Sequence, residues 1–320
     1  MRIHSFSSAF PKNKIEVETF RNNFSDFDLA VARSGVKQKF VASPEQTSLD
    51  LAIDAMTKVQ NSEIVKHLDL IIFVTQTPDY LLPGNSFLLL KRLGLPNKII
   101  NYDLNQACSA FIYGTMLIEK FIVGGNVEKA ALICADTYSK ILSDQDRGTS
   151  LLFGDAACVT FFDKTIGNYR VAGTKVENHS NFNDLFIVRA GSARDNYQSK
   201  SPTIEMQGMA LLNLLQLVAP KFIKKFIAEH GISIDDIDVF IFHQASRVAL
   251  DTLRKSLGVA ENKAFDNLEN QGNTTCASIP LALSEMVSKY KDKLPKKVLV
   301  FGFGVGFSIG CVLLELDETR

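Results

Sequence analysis

The sequence predicts an α/β fold made of two similar halves, and three observations carry that reading. Continuous apolar runs recur at residues 70–74, 130–135, 157–162, 239–242, 298–301 and 311–316, the pattern of strands covered on both faces. Helical stretches at 46–60, 84–93, 108–124, 206–230, 246–257 and 276–291 separate many of them, and such alternation layers helices on sheets. The chain also repeats itself weakly. Phe73-Val-Thr-Gln76 falls on Ile241-Phe-His-Gln244, Asn105-Gln-Ala-Cys108 on Asn273-Thr-Thr-Cys276, and Ile133-Cys-Ala135 on Phe301-Gly-Phe303, all at an offset of 168 residues (276 − 108).

In chain order, the first half is expected to span 1–165 and the second 166–320. The last strand pair, Cys158-Val and Cys311-Val, falls at an offset of 153 (311 − 158). The first half therefore carries an extra loop around Asp144–Gly154, and inserted loops of this kind are often functional. The stretch 178–203 is polar and loop-like. It joins elements of the two halves and is placed to cover a site.

Composition excludes several classes. With 46% hydrophobic and 22% charged residues over 320 positions, the chain is an ordinary globular protein. Lys plus Arg equal Asp plus Glu at 35 each, so bulk charge gives no reason to expect nucleic acid or an anionic membrane as partner. The longest apolar runs, such as Leu70–Val74, fall well short of the roughly 18 residues of a membrane span. The start, Met1-Arg-Ile-His-Ser-Phe-Ser-Ser, lacks a signal-peptide core. A cytoplasmic location is expected. The five cysteines (108, 134, 158, 276, 311) are scattered with no C-x-x-C, so neither a metal site nor a disulfide framework is expected.

Cys108 stands where a short strand-like run, beginning at Asn101, meets a long apolar helix. Unpaired backbone N–H groups and the helix dipole there favour thiolate and can hold an oxyanion. A free cysteine is equally at home as a small core hydrophobe, and position alone leaves both readings open. His243 ends the run Val239-Phe-Ile-Phe242 and matches Thr75 in the repeat. Strand C-terminal ends are where open α/β folds place ligands, so a central crevice would bring His243 to Cys108. Asn273 precedes an apolar helix, as the residues before Cys108 do. A side-chain amide beside an imidazole offers two donors to one developing negative charge, although Gly-Asn is also a common turn pair. The run Gly302-Phe-Gly304-Val-Gly306-Phe-Ser-Ile-Gly310 is followed by a strand, not a helix. It therefore reads as a tight turn bringing backbone near a reacting group, not as a dinucleotide loop.

Taken together, Ala32-Arg33-Ser-Gly-Val36, Ala107-Cys108-Ser-Ala, Asp146-Arg147-Gly-Thr through Phe153-Gly-Asp155, His243-Gln-Ala-Ser246, Gly272-Asn273-Thr and Gly304-Val-Gly306-Phe resemble the ketoacyl-acyl-carrier-protein synthase III group of the thiolase-like superfamily. The resemblance implies a five-layered αβαβα fold, a homodimer and a Cys108–His243–Asn273 triad. It implies an acyl group loaded from a thioester onto Cys108, then condensation with malonyl carried by acyl carrier protein, in fatty-acid initiation or a specialised pathway. The backbone N–H groups of Cys108 and Val305 would form an oxyanion hole. Coenzyme A and acyl-carrier thioesters enter as substrates, with no resident cofactor.

By the same resemblance, Arg33 and Arg147 contact the coenzyme A nucleotide, and Leu82 reaches across a dimer to line the acyl pocket. Ser246, Met209 and Leu29 stand where the family often has Asn, Asn and Trp. These departures lie on the pantetheine and nucleotide side and leave two donors open, an acyl-carrier thioester or a coenzyme A ester. Arg247 and Arg254, seven apart on a predicted helix with Lys255 beside them, either receive an acidic carrier protein or form a solvated face. The alternative activity is acyl transfer to an alcohol or amine without decarboxylation. A non-catalytic subunit is disfavoured by the intact Cys, His and Asn.

Overall fold

The computed structural model describes residues 1–198 and 202–317. Three residues of the polar stretch 178–203, namely 199–201, lie outside the described residues. Ten strands form the main sheet: β1 (Arg2–Ala9), β2 (Leu70–Val74), β3 (Ile100–Leu104), β4 (Lys129–Asp136), β5 (Ala156–Asp163), β6 (Tyr169–Asn178), β7 (Val239–Phe242), β8 (Ala264–Phe265), β9 (Lys297–Gly304) and β10 (Ser308–Leu316). Their order is β8-β7-β9-β10-β6-β1-β5-β4-β2-β3. The order reads as two five-strand sets, each with its first strand at the junction. Within each set the inner strands pair antiparallel and the outer ones parallel.

The helices that matter to the site are α1 (Phe27–Ser34), α2 (Ser48–Thr57), α3 (Asn85–Leu93), α4 (Ala110–Val123), the single turn α5 (Arg147–Ser150), α6 (Gly208–Glu229), α7 (Arg247–Leu257) and α8 (Ser278–Lys289). Alternate residues of each strand face opposite layers, and the buried clusters follow that alternation. Leu70, Ile72 and Val74 of β2 and Val298 and Val300 of β9 pack on α4 and α8 between the two strand sets. Ile71 and Phe73 face outward with α2 and α3. Leu299 and Phe301 face outward on the other side with α6 and α7. This is the five-layered αβαβα arrangement. The central helices are therefore apolar on most faces, whereas α7 has one apolar stripe, Ala249, Leu250, Leu253 and Leu257.

Local chemistry sets the helix ends. Thr47 and Asp50 close a capping box on α2. Ser246 caps α7 by accepting from the Ala249 N–H at 3.3 Å, and Gly258, at φ 70°, stops it in the left-handed region. Each central helix is entered through a residue in that same region, Ala107 (φ 46°) and Thr275 (φ 51°). These two sit 168 positions apart (275 − 107), the offset of the sequence repeat.

The apolar runs appear as β2, β4, β5, β7, β9 and β10. Four strands carry no such run, the edge strands β3 and β8 and the partly exposed β1 and β6. β1 and β6 are the pair that joins the two sets, through Arg2 opposite Arg170 and Ile3 opposite Tyr169. The stretch 178–203 is not wholly loop: Phe186–Ile187 pairs antiparallel with Glu205–Met206, and Phe186 lines the main cavity. Among the described residues no helix is long and apolar enough to cross a membrane.

Candidate active site

A cavity of about 540 Å³ opens where the C-terminal end of β7, the entrance of α4 and the β9–β10 turn converge, and Cys108, His243, Asn273 and Val305 all line it. The volume is that of an ordinary ligand site. Residues 107–109 form a tight turn leading into α4, which places Cys108 at the cavity floor with 6% exposure. Gly304 lies directly behind it. A Cβ there would stand 3.2 Å from the Cys108 backbone N and 2.9 Å from that of Ser109. The glycine-rich turn thus brings backbone against the thiol's own main chain, as its composition suggested.

Position favours thiolate, but burial decides otherwise. Burial, with the nearby Asp136 carboxylate adding to it, pushes the Cys108 thiol well above its ordinary range, against a smaller opposite effect of its own backbone N–H. The resting group is a thiol. Burial thus outweighs what the helix end favours: a charge in this water-poor floor costs more than the helix end returns.

His243 leaves β7 with its backbone N–H bonded to the Phe301 carbonyl at 2.8 Å. Burial pushes its imidazole down to about 3, so the ring is neutral. Its Nδ1 lies 2.6 Å from the Ser278 hydroxyl at the start of α8, leaving Nε2 for the cavity. A hydroxyl both donates and accepts. Ser278 can therefore hold the ring with Nε2 bare or with Nε2 carrying the proton. The edge of Phe303 packs on the imidazole, centroids 5.2 Å apart at 77°, and blocks its rotation.

Asn273 is oriented by its neighbours. Its Oδ1 accepts the Thr275 N–H at 2.9 Å, and its Nδ2 donates to the Ala245 carbonyl at 3.3 Å. With the oxygen committed, the second amide hydrogen is directed at the cavity. In the mirror position of the repeat, Thr75 replaces His243 and donates to Asp136 at 3.0 Å. Cys276, the counterpart of Cys108, is fully buried.

Arg33, Arg147, Ser246 and Met209 line the same cavity. Arg33 is exposed and forms no ion pair with another described residue. Arg147 is paired with Asp26, the residue just before α1. Asp146 caps α5, accepting from the Gly148 N–H at 2.9 Å and the Thr149 hydroxyl at 2.8 Å. Leu82 does not line this cavity. It is 83% exposed, in the loop between β2 and α3. Of the three cations on α7, Arg247 is held bidentately by Asp266 at 3.1 Å for both contacts, Arg254 is half-buried and Lys255 exposed. Asp26, Ser278 and Phe303 escaped the sequence reading because each acts through a partner distant in sequence. Among the described residues no cluster of three or more His, Cys, Asp or Glu is placed to hold a metal.

Comparison with known proteins identifies the family of the chain. The model of the 3-oxoacyl-[acyl-carrier-protein] synthase III family matches residues 102–180, and that of its C-terminal part matches 227–316. A beta-ketoacyl-[acyl-carrier-protein] synthase III of Clostridium perfringens is 32% identical, covering 97% of this chain and 98% of its own. One from Lactococcus lactis is 31% identical over 89% of each. Among solved structures, a 3-oxoacyl-(acyl-carrier protein) synthase of Burkholderia xenovorans superposes with a TM-score of 0.90 at 29% identity, covering 99% of this chain and 94% of that one. A priming β-ketosynthase of a polyketide pathway, at 20% identity and a TM-score of 0.88, shares the fold. With a relative above 30% identity along nearly the whole chain, this protein belongs to the 3-oxoacyl-[acyl-carrier-protein] synthase III family and has its thiolase-like fold.

Proposed function

We propose that the protein is a decarboxylating condensing enzyme that takes an acyl group onto Cys108 and extends it with malonyl delivered by acyl carrier protein. The observation that carries this reading is the single cavity in which a thiol, a neutral imidazole, an oriented amide and a backbone turn converge. In the first half-reaction the Cys108 sulfur attacks the donor thioester as its proton passes to bare Nε2 of His243. The leaving thiol then takes that proton. Charge appears only as the bond forms, which suits a thiol and an imidazole that are both neutral at rest. The N–H groups of Cys108 and Val305 receive the tetrahedral oxyanion.

In the second half-reaction malonyl loses CO2, and the electron pair moves onto the thioester oxygen as an enolate. No proton is lost in that step, so His243 serves as a donor from Nε2, beside Asn273 Nδ2. The enolate carbon then attacks the acyl carbonyl, and the Cys108 sulfur leaves as thiolate and takes a proton from water, the one proton the overall reaction consumes. Two moderate barriers replace one high one. In this scheme residues 1–165 supply the nucleophile and 166–320 the imidazole and amide. The coenzymes are consumed as substrates, and no resident cofactor takes part.

A homodimer fits the same reading. β3 is the outermost strand of its set, and Tyr80, Leu81, Leu82, Phe87 and Tyr102 around it are all exposed by 47% or more. A bare edge with such an apolar flank calls for a partner. A cytoplasmic location accompanies soluble carrier-borne substrates. The test is intact-mass spectrometry with acyl thioesters, followed by addition of malonyl carrier protein. The expected result is an acyl adduct that is absent in Cys108→Ala, followed by CO2 release and a β-ketoacyl product. Adduct formation without CO2 release, with transfer to an alcohol or amine, would replace condensation by simple acyl transfer.

A further inference from the structure

We infer that the mouth of this cavity is set to take its acyl donor from a protein-bound pantetheine arm and not from free coenzyme A, with Asp26 as the residue that sets the preference. The inference rests on the function proposed above and names the donor class of that site.

The mouth is formed by α1, α5 and the start of α6, and its charge is the first argument. Arg33 and Arg147 are cations of this rim, and Asp26 and Asp146 are anions. Arg147 is already ion-paired with Asp26, and both side chains are partly exposed, 48% and 36%. The pair spans the entrance between two helices. Coenzyme A brings a diphosphate and a 3′-phosphate to such a mouth, groups that a guanidinium binds best when both its edges are open. Here a carboxylate holds the guanidinium and repels the phosphates. A carrier's arm brings one phosphodiester, which a single exposed cation, Arg33, can meet.

The second argument is the absence of a stacking surface. The rim presents Leu29, 52% exposed on α1, and Met209, 63% exposed on α6. These flexible apolar side chains suit the methylenes of a pantetheine arm. Each ring in the cavity wall is committed elsewhere. Phe186 stacks on Phe153 at 6.2 Å, and Phe303 packs against both His243 and Phe307. Among the described residues that line the cavity, none offers an unpacked aromatic ring to adenine.

The test loads Cys108 from three donors bearing the same short straight-chain acyl group: acyl-coenzyme A, acyl-pantetheine and acyl carrier protein. Second-order constants come from intact-mass time courses. The first two donors should agree within about threefold, because the nucleotide contributes nothing, and the carrier-borne donor should exceed both by about tenfold or more. Coenzyme A exceeding pantetheine by more than that threefold overturns the inference, as does a carrier advantage below tenfold. Asp26→Asn frees Arg147 and should raise the coenzyme A to pantetheine ratio about fivefold or more. A ratio that stays put removes Asp26 from the account. The ratio is internal to each preparation, so partial misfolding of the variant leaves it readable. Failure of every donor to load Cys108 refutes the proposed function itself, whereas loading with the wrong donor order refutes only this inference.

Discussion

Gly304→Ala is the substitution that most directly probes the oxyanion hole. The added Cβ would stand 2.9 Å from the Ser109 N, 3.1 Å from the Ser109 Oγ and 3.2 Å from the Cys108 N. Carbon and nitrogen settle near 3.5 Å, so the two backbones must part by about 0.5 Å. Neither side yields easily. The Ser109 hydroxyl is bonded to that of Ser308 at 2.7 Å, and Gly304 itself is held in register opposite Ser308. The displacement therefore falls on the Cys108 N–H and, through the next peptide, on that of Val305. Loss of one such donor costs about 10²–10³ in rate, or roughly 2.7–4 kcal/mol. Overpacking costs about 1–3 kcal/mol of stability, which is survivable against a total of about 5–15 kcal/mol. Acylation of Cys108 followed by intact mass should slow about 100-fold, while thermal unfolding stays cooperative. Acylation within about threefold of the parent would refute the placement of the hole, because the donors would then not depend on this close approach.

Asn273→Ala should reduce malonyl decarboxylation by about 100-fold or more while slowing acylation less, since its donor meets only the enolate, whereas His243→Ala, which also removes the base that takes the Cys108 proton, should slow both half-reactions. Release of CO2 and mass of the acyl-enzyme separate the two effects; equal losses of both half-reactions in Asn273→Ala, or full acylation in His243→Ala, would contradict the assigned roles. The pH dependence of stability has a definite sign. His243 titrates at about 3 when folded and near 6.5 when unfolded. The unfolded chain therefore binds the extra proton between those values. Stability is full above about pH 6.5 and falls by up to about 1.4 kcal/mol per pH unit from this group as pH drops towards 3. Urea unfolding at pH 7, 6 and 5 should show that slope, and His243→Gln should flatten it.

Much of the layered fold is legible in the sequence because burial on both faces makes β2, β4, β5, β7, β9 and β10 continuously apolar. The repeat offset of 168 (276 − 108) is legible for the same reason, since each half must enter its central helix through the same turn. Cys108, His243 and Asn273 stand out because each sits at the end of an element. β1 and β6 escape notice. They are half-exposed, and their mutual pairing joins Arg2 to Arg170, residues whose proximity no local pattern encodes.

By itself, then, the sequence determined the elements, their layering and the three polar side chains at the crevice, since these follow from periodicity and from what an element's end exposes. Tertiary structure decided how that chemistry is poised. It buried Cys108 and so kept it a thiol, against what its position at a helix entrance favours. It set Ser278 against His243 and tied Arg147 to Asp26. The physical reason is common to all three: desolvation and side-chain pairing depend on what surrounds a group in space, and those surroundings come from residues distant along the chain.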